Sequence, residues 1–496
     1  MNPMDLAHAW AGIVNSFVFE GMISPKPYPI VPKLDTPLEI FLGVCSRSKG
    51  GNRSMRMKYF IGLILWAVAS AGVVFAQEPQ KPLTLEESIK IAMERSLAIH
   101  SAAMGVEGSE FVRKEAITNF LPQWGGQYSY TKWSYPAFIG NFNLSENLLV
   151  LVQQVSSNVY NFNTTLSQPL FTGGFNLATY RSAKLGVDLS RKSLETAKLD
   201  LVLQVRVGYF TILRAEKFLA VAEQQVKNFE AQLEVTQAFF DVGIVPKNDV
   251  LLAEVNLANA KQQLVKAAND LATAKASFNI LLRREVDTPF EVVDILAYRA
   301  FALSFEQSLE EALRLRPEVK AAQLNIDQAK ENVKIARAGF FPTIRLTGNY
   351  SRNADFWPLE GTSKDIASDA WMVQALATFT LWNWGDTAFK VGESKVKVKQ
   401  AEDAKPQLID SVTLEVKDDY LNMLVAEKNI RTAEISIEQA EENLRMNEER
   451  YKYQVATQTD VVNAVTLLAQ ARTNYYGALS DFNVAKAQLE RAMGRM

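Results

Sequence analysis

The sequence predicts a mainly α-helical protein that also carries a transmembrane β-barrel, built from a duplicated unit of strand pairs and long antiparallel coiled-coil hairpins. Three observations lead there: the chain repeats itself, its helical periodicity runs unbroken for lengths no compact domain can hold, and short segments between the helices alternate apolar and polar residues. Leu83 to Pro122 returns as Leu303 to Pro342 at a constant offset of 220, pairing Glu86 with Glu306, Ala92 with Ala312 and Phe120 with Phe340. Leu170 to Arg283 returns as Leu381 to Gly494 at an offset of 211, pairing Gly174 with Gly385, Tyr209 with Tyr420 and Asp249-Val250 with Asp460-Val461. A duplicated unit that cannot bury its own apolar face packs on its copy or on other chains, which implies an extended, oligomeric architecture. The chain divides accordingly into a leader (1–54), a secretory signal (55–76), a first repeat (77–296) and a second repeat (297–496).

The signal is read from Arg56 and Lys58, the apolar run Tyr59 to Phe75, and the cleavage site Val74-Phe75-Ala76 before Gln77. Residues 1–54 sit awkwardly upstream of it, with prolines crowded between Pro25 and Pro37 and no helical or strand period. The expectation is that translation starts at Met55 and that this leader is a gene-model artefact; Lys49-Gly50-Gly51 can be encoded by a purine-rich ribosome-binding run. Cys45, the single cysteine, lies in the leader, and Leu42-Gly43-Val44-Cys45 lacks the charged-then-apolar segment that a lipid-attachment site needs before it. The mature chain is therefore free of disulfides and thiolate metal sites, and His100 alone cannot build a histidine-rich zinc site. Lysine plus arginine (53) against aspartate plus glutamate (55) leaves a net charge of −2, so no basic face argues for nucleic acid. Past the signal, no apolar run approaches the roughly 20 residues of a membrane helix, and membrane contact must come from strands or a surface helix.

From Phe175 to Asp241 there is no proline and apolar residues keep helical spacing, which predicts one helix roughly 100 Å long at ~1.5 Å per residue. Its later half steps by threes and fours through Leu219, Ala222, Val226, Phe229, Leu233, Thr236 and Phe240, a coiled-coil seam. The chain then turns through Val242-Gly243-Ile244-Val245-Pro246, and a second helix returns with Val250, Ala253, Leu257 and Ala260 on its seam. The copy follows the same rule: Val461, Ala464, Leu468 and Ala471 face Ile430, Ala433, Ile437, Ala440, Leu444 and Tyr451. Alanine at alternate seam positions lets helices approach closely while the bulky position fills the facing hole, so each copy is an antiparallel hairpin. Asp249 and Asp460 each open a return helix. As N-caps they would satisfy free backbone N–H groups; where tips from several chains converge, the same acids would also form a ring that narrows and charges an opening.

Each hairpin is preceded by two alternating segments. Thr343 to Arg352 puts Ile344, Leu346, Gly348 and Tyr350 on one face and Arg345, Thr347, Asn349 and Ser351 on the other. Trp371 to Leu381 does likewise, and Gln127 to Tyr135 and Phe162 to Leu170 are the first-copy counterparts. Strands of roughly ten residues with one apolar and one polar face, and aromatics near their ends, are the signature of a membrane barrel. The smallest such barrels use about 8 strands, so this chain must combine with copies of itself; closure alone does not choose between two chains and three. A water-soluble sheet with one face under a helix is the competing reading of these segments.

Taken in order and in duplicate, these features resemble the TolC-type outer membrane efflux protein family over residues 83–494. The local signatures are Phe120-Leu121-Pro122 and Phe340-Phe341-Pro342 leading into strands, Leu170-Phe171-Thr172-Gly173-Gly174 and Leu381-Trp382-Asn383-Trp384-Gly385 leading out, and the tip runs Val242-Gly243 with Asp249-Val250 and Asp460-Val461. The resemblance implies a homotrimer whose twelve strands form one barrel in outer-membrane lipid and continue into a twelve-helix α-barrel crossing the periplasm. It implies a gate at the periplasmic tips: Asp460 at the ring position, Asp249 and Tyr451 where neighbouring hairpins latch, and Asn463 where a second acid often follows. Val242, Gly243, Pro246, Gln454 and Val455 fall on the turns where an adaptor would dock. Gln454 replaces the usual second glycine, and Ala456 stands where a latching basic residue can occur.

The function so implied is a passive exit duct of a tripartite efflux or type I secretion system, opened at its tip by a periplasmic adaptor and an inner-membrane transporter. The alternative is a periplasmic adaptor or structural coiled coil without a channel, which doubled hairpins bracketed by amphipathic strand pairs disfavour. Enzyme chemistry finds no support: there is no Ser/His/Asp set, phosphate-binding loop, dinucleotide fingerprint or metal-ligand spacing, and no cofactor is expected. The Gly125-Gly126 and Gly173-Gly174 pairs read as turn residues at strand and helix boundaries. Acidic runs such as Glu438, Glu441, Glu442, Glu448 and Glu449 read as a solvated face. Nothing in the sequence names the cargo.

Overall fold

The computed structural model describes residues 82–134, 138–139, 153–154, 158–354 and 368–496; the expected leader and secretory signal lie outside the described residues. In chain order the elements are α1 (Leu85–Arg95), α2 (Leu97–Thr118), β1 (Gln123–Lys132), β2 (Phe138–Ile139), β3 (Gln153–Gln154), β4 (Asn158–Phe171), α3 (Phe175–Asp241) and α4 (Lys247–Leu281). Then follow α5 (Phe305–Leu315), α6 (Pro317–Arg337), a 3-10 turn (Ala338–Phe340), β5 (Thr343–Ala354), β6 (Ser368–Thr378), α7 (Asp386–Lys452) and α8 (Gln458–Ala492). Both α3 and α7 have 67 residues, and both α4 and α8 have 35, each pair starting 211 positions apart. At ~1.5 Å per residue the longer helices reach about 100 Å.

Local chemistry sets the ends of these elements in matching pairs. Thr84 and Ser304, 220 apart, each cap a helix through a reciprocal box with Glu87 and Gln307. Buried Ser88 and Ser308 each donate a 2.8 Å hydrogen bond back to the cap carbonyl. Left-handed backbone recurs at an offset of 211: Gly173 and Trp384, Gly174 and Gly385, Gly243 and Gln454, Arg283 and Gly494 all have positive φ. Three of these pairs hold glycine in one copy only, so the turn geometry outlasts the residue that makes it easiest. By contrast Gly125 and Gly126 lie inside β1 and make no turn. That strand starts at Gln123 rather than at Gln127, because pairing with Ser167 carries the ladder to its first residue. β6 ends at Thr378, opposite Thr343 where β5 begins, which leaves Phe379 to Leu381 outside the ladder.

The four long helices lie in a row. α3 packs on α4 and on α8, and α8 packs on α7, so α4 and α7 are the outer members. Nearer the strands, α2 and α6 replace α4 and α8, giving the order α2, α3, α6, α7. Seam residues behave accordingly: Val461, Ala464, Leu468 and Ala471 are buried between two neighbours, whereas Leu257 and Leu264 on the outer α4 are half-buried and Phe240 is exposed. The strands form one antiparallel sheet in the order β1-β4-β5-β6, in which β4 of the first repeat pairs with β5 of the second. β2 and β3 form a separate two-residue pair. The sheet is open, with β1 and β6 at its edges, so a single chain does not close a barrel.

Where α3, α6, α7 and α8 meet, an ion-pair network ties the two hairpins together. Arg316 bonds Glu415 (2.6 Å) and Glu318 (3.3 Å), while Arg491 reaches the same two glutamates (3.2 and 3.1 Å) and Asp200 on α3 (2.7 Å). Arg316 is 4% exposed, so its charge depends on these partners. The first repeat has Ser96, Ala98, Gln204 and Ile280 at the matching positions, and the network exists once per chain. Burial, with Glu415 and Asp418 beside it, pushes the Asp419 carboxyl up to about 6 against the opposing pull of Arg316 and Arg491. A carboxyl raised above its ordinary value of 3.8 keeps a proton in the fold that the unfolded chain has lost, so stability falls as pH rises through about 4 to 6. Asp419→Asn is therefore expected to stabilise the fold at pH 7 by about 1–2 kcal/mol, discounted for partial exposure, and to flatten the slope across that interval. Thermal unfolding at a series of pH values reads both effects, and an unchanged slope in the variant refutes the assignment.

Candidate functional site

The hairpin tips bring most of the sequence-predicted site residues to one end of the helical row. After α3, the N–H of Gly243 donates to Phe240 O (2.9 Å) and that of Ile244 to Phe239 O (2.8 Å). After α7, the N–H of Gln454 donates to Tyr451 O (2.9 Å) and that of Val455 to Arg450 O (2.8 Å). Both are the paired bonds of a Schellman turn, which requires left-handed backbone at Gly243 (φ 77°) and at Gln454 (φ 62°). Val242 and Val455, 70% and 66% exposed, present apolar side chains at the two tips.

Asp249 and Asp460 are not N-caps; those positions are Pro246 and Thr457, and each acid sits in the first turn three residues on. The Asp460 carboxylate accepts from the N–H and the hydroxyl of Thr457 (both 2.8 Å), and the Asp460 N–H donates back to the Thr457 hydroxyl (3.3 Å), a full capping box. Those bonds, with Arg450 nearby, hold its carboxyl below the usual carboxylate range. Its contribution is therefore present above that range and lost as pH falls through it. Asp249 has no box, since proline has neither a side-chain acceptor nor an N–H. Asn463 is exposed on α8, one turn beyond the box.

Tyr451 is 4% exposed and belongs to a cluster that the periodicity of the sequence did not reveal. Its hydroxyl lies 3.3 Å from that of Thr236, and its ring lies 5.6 Å from Phe239. Gln458, the first residue of α8, accepts at Oε1 from Gln232 (2.6 Å) and lies 3.1 Å from the Thr236 hydroxyl. Burial, with the Asp249 charge also raising it, pushes the Tyr451 phenol up, so the group stays protonated and available as a donor. These four residues are all buried, and they join α3 of the first hairpin to α7 and α8 of the second. Gln458 Nε2 has no partner among the described residues, a buried donor left over. The matching positions in the other repeat hold Asn443, Asn447, Phe240 and Lys247, so this link, too, is made once. The Thr457-to-Asp460 spacing could have flagged the capping box; nothing comparable flags Gln232 or Gln458.

At the other end, the sheet sorts its residues by face. Residues opposite one another in an antiparallel ladder share a face. The cross-strand row Gln127, Asn163, Ser351 and the next, Gly125, Thr165, Asn349, are polar, and Asn349 Nδ2 donates to Asn163 (2.7 Å) and to Thr165 (3.1 Å) across β4 and β5. Asn161 and Asn353 also bond across this face. The alternate rows carry Trp124, Leu166, Gly348, Val373 and Tyr130, Tyr160, with Trp124 66%, Val373 65% and Trp371 79% exposed. Among the described residues, no helix packs broadly on this apolar face. With ~3.4 Å per residue and a tilt of about 45°, the 11-residue β6 would rise about 24 Å, close to the apolar band of a membrane barrel. Among the described residues, no helix is long and apolar enough to cross a membrane.

A family described as "Outer membrane efflux protein" matches residues 89–282 and 308–495, one segment in each repeat. The outer membrane efflux protein BepC of Brucella suis is 23% identical over 434 residues, covering 88% of this chain and 90% of the relative. The outer membrane protein TolC of Vibrio cholerae is 24% identical over 358 residues, covering 68% of this chain and 80% of the relative. Among solved structures, the CmeC outer membrane channel of Campylobacter jejuni superposes with a TM-score of 0.69 at 17% identity, over 85% of this chain and 90% of that one.

Thr236→Val keeps the shape of the buried cluster but removes its hydroxyl, leaving Gln458 and Tyr451 each short of one partner. A loss of about 1–3 kcal/mol is expected, against about 1 kcal/mol for Thr457→Ala at the exposed cap. Denaturant unfolding of the two variants checks that order, and equal or reversed losses would show the cluster to be dispensable.

Proposed function

The chain belongs to the outer membrane efflux protein family, and on that premise we propose that three copies of it close into one duct through the outer membrane and the periplasm. It is an outer-membrane protein of the efflux-channel class, and the family match supports this duct rather than a periplasmic adaptor or a coiled coil without a channel. The observation that carries closure with other copies is the open sheet, with one apolar and one polar face and, among the described residues, no strand beyond β1 or β6; the number three comes from the family resemblance. In lipid each unmet N–H or C=O costs several kcal/mol, so the edges must meet other strands. Three copies supply twelve strands, and the row of four long helices supplies twelve helices to a barrel beneath them.

Apolar stripes on the open edges of the helical row support the same assembly. On α2, Leu97, Met104 and Phe111 recur every seven residues and are exposed; on α7, Phe389 with Val396 and Leu414 with Leu421 do the same. Heptad spacing on two opposite edges suits helix packing between successive copies. The polar sheet face then lines the lumen, and the duct works without a catalytic step or cofactor, as befits a family of channels. Energy comes from an inner-membrane transporter, coupled by a periplasmic adaptor that meets Val242, Gly243, Pro246, Gln454 and Val455. Asp249 and Asp460, with Tyr451 and Asn463 behind them, form the gate at the tips.

Single-channel recording after reconstitution tests both the duct and its gate. Wild type is expected to conduct weakly, and Asp249→Ala with Asp460→Ala to conduct several-fold better as the acids at the constriction are removed. Thr457→Ala removes the capping box but keeps both charges, and should leave conductance near wild type. A rise in Thr457→Ala equal to that of the double variant would assign these acids to capping alone; no conductance from any form would sink the duct itself.

A further inference from the structure

The polar sheet face carries one charge whose position says more than that the lumen is wet. Arg345 lies on β5 opposite Pro169 of β4 and Leu376 of β6, in register two residues from the row Ser167, Thr347, Gln374. That parity puts it on the asparagine and threonine face and not on the face of Trp124, Leu166 and Val373. Among the described residues, it is the sole ionisable group on this face, where the remaining polar positions are uncharged asparagine, glutamine, serine and threonine. Its side chain is exposed and makes no hydrogen bond or ion pair with any described residue. The matching position of the first repeat is Gly125, so the charge appears once per chain. Two residues from the start of β5, it stands at the end of the sheet nearest the helices, about 7 Å into the strand.

We propose that Arg345 contributes a ring of three guanidinium groups at the helix-proximal mouth of the barrel, which biases the duct toward anionic solutes. The proposal rests on the trimeric duct described above. Ladder parity assigns the face, because a lipid-facing arginine costs most at the bilayer centre and little near the interface where Arg345 stands; on the water-filled face no described residue pairs with its charge. Rings of like charge select ions by this means. The reach of the field is set by salt: the screening length is about 10 Å at 0.1 M and about 30 Å at 0.01 M, so the bias is felt across a wide lumen only at low ionic strength. Asp249 and Asp460 at the far tips act in the opposite sense. The signature of Arg345 is therefore a difference between variants, not the absolute preference of the duct.

The test is the potassium-to-chloride permeability ratio, taken from reversal potentials of reconstituted channels in KCl gradients, in both the wild-type and the Asp249→Ala/Asp460→Ala backgrounds. With the low side near 0.01 M, Arg345→Gln should raise the ratio about twofold, Arg345→Glu further, and Arg345→Lys should leave it close to wild type; near 1 M, where screening acts within about 3 Å, the differences should vanish. Glutamine already occurs on this face at Gln123, Gln127 and Gln374, so Arg345→Gln is compatible with assembly even if the charge reversal is not. Conducting Arg345→Gln channels with unchanged selectivity at low salt in both backgrounds overturn the ring. Absence of conductance in wild type and in every variant instead overturns the duct on which it rests. A lowered trimer yield with unaltered selectivity would place the guanidinium among lipid headgroups and also overturn the proposal.

Discussion

Backbone hydrogen bonding at the two edges of the sheet governs the rest of this protein. Four strands whose apolar face no described helix packs on broadly leave two edges, β1 and β6, that must meet further strands before such a sheet can lie in lipid. One chain thus carries an incomplete sheet. The same incompleteness appears among the helices, where α4 and α7 end the row with exposed apolar side chains while α8, held between α3 and α7, is buried along its seam. The strands and the helices are both left open at their edges.

Much of this was legible in the sequence because duplication and periodicity are statistical signals spread over many residues. The bounds expected for α3 coincide with those found, and the alternating faces of β5 follow the expected parity. What the sequence left out depends on single contacts. Gly125-Gly126 looked like a turn because glycine pairs usually are, but the ladder with Thr165 and Thr164 holds them extended. Asp249 and Asp460 looked like N-caps because each opens a helix; the cap is one turn earlier, and the box at Thr457 makes Asp460 its third-position partner. Gln232 and Gln458 were invisible, since a polar residue beside a coiled-coil seam is ordinarily solvated and only the third helix buries it.

The repeats are alike in geometry and unlike in chemistry. Left-handed turns persist at Trp384, Gln454 and Arg283, where the other copy has glycine, so backbone shape is retained against a local cost of about 1–2 kcal/mol each. The polar links are each made once instead: Arg316 and Arg491 with their glutamates near the middle of the long helices, Gln232, Thr236, Tyr451 and Gln458 at the tips. A shared seam geometry lets the two hairpins pack alike in the helical row. Links made once tie the second hairpin to α3 at particular points.

That division bears on how the hairpin tips can move. The second hairpin is tied to α3 at its tip by the buried cluster and higher up by Asp200 and Arg491, while α4 packs mainly on α3 and touches α8 little. An apolar seam between α3 and α4 tolerates sliding, because its energy follows buried area and not direction. A buried cluster of directional hydrogen bonds does not, since displacement leaves amides and hydroxyls unmet in a dry site. Gln458 is already short of one partner there, so the cluster as described holds less than its full bonding capacity. A rearrangement that gave its free amide hydrogens an acceptor, or water, would recover part of what breaking the Gln232 and Thr236 contacts costs.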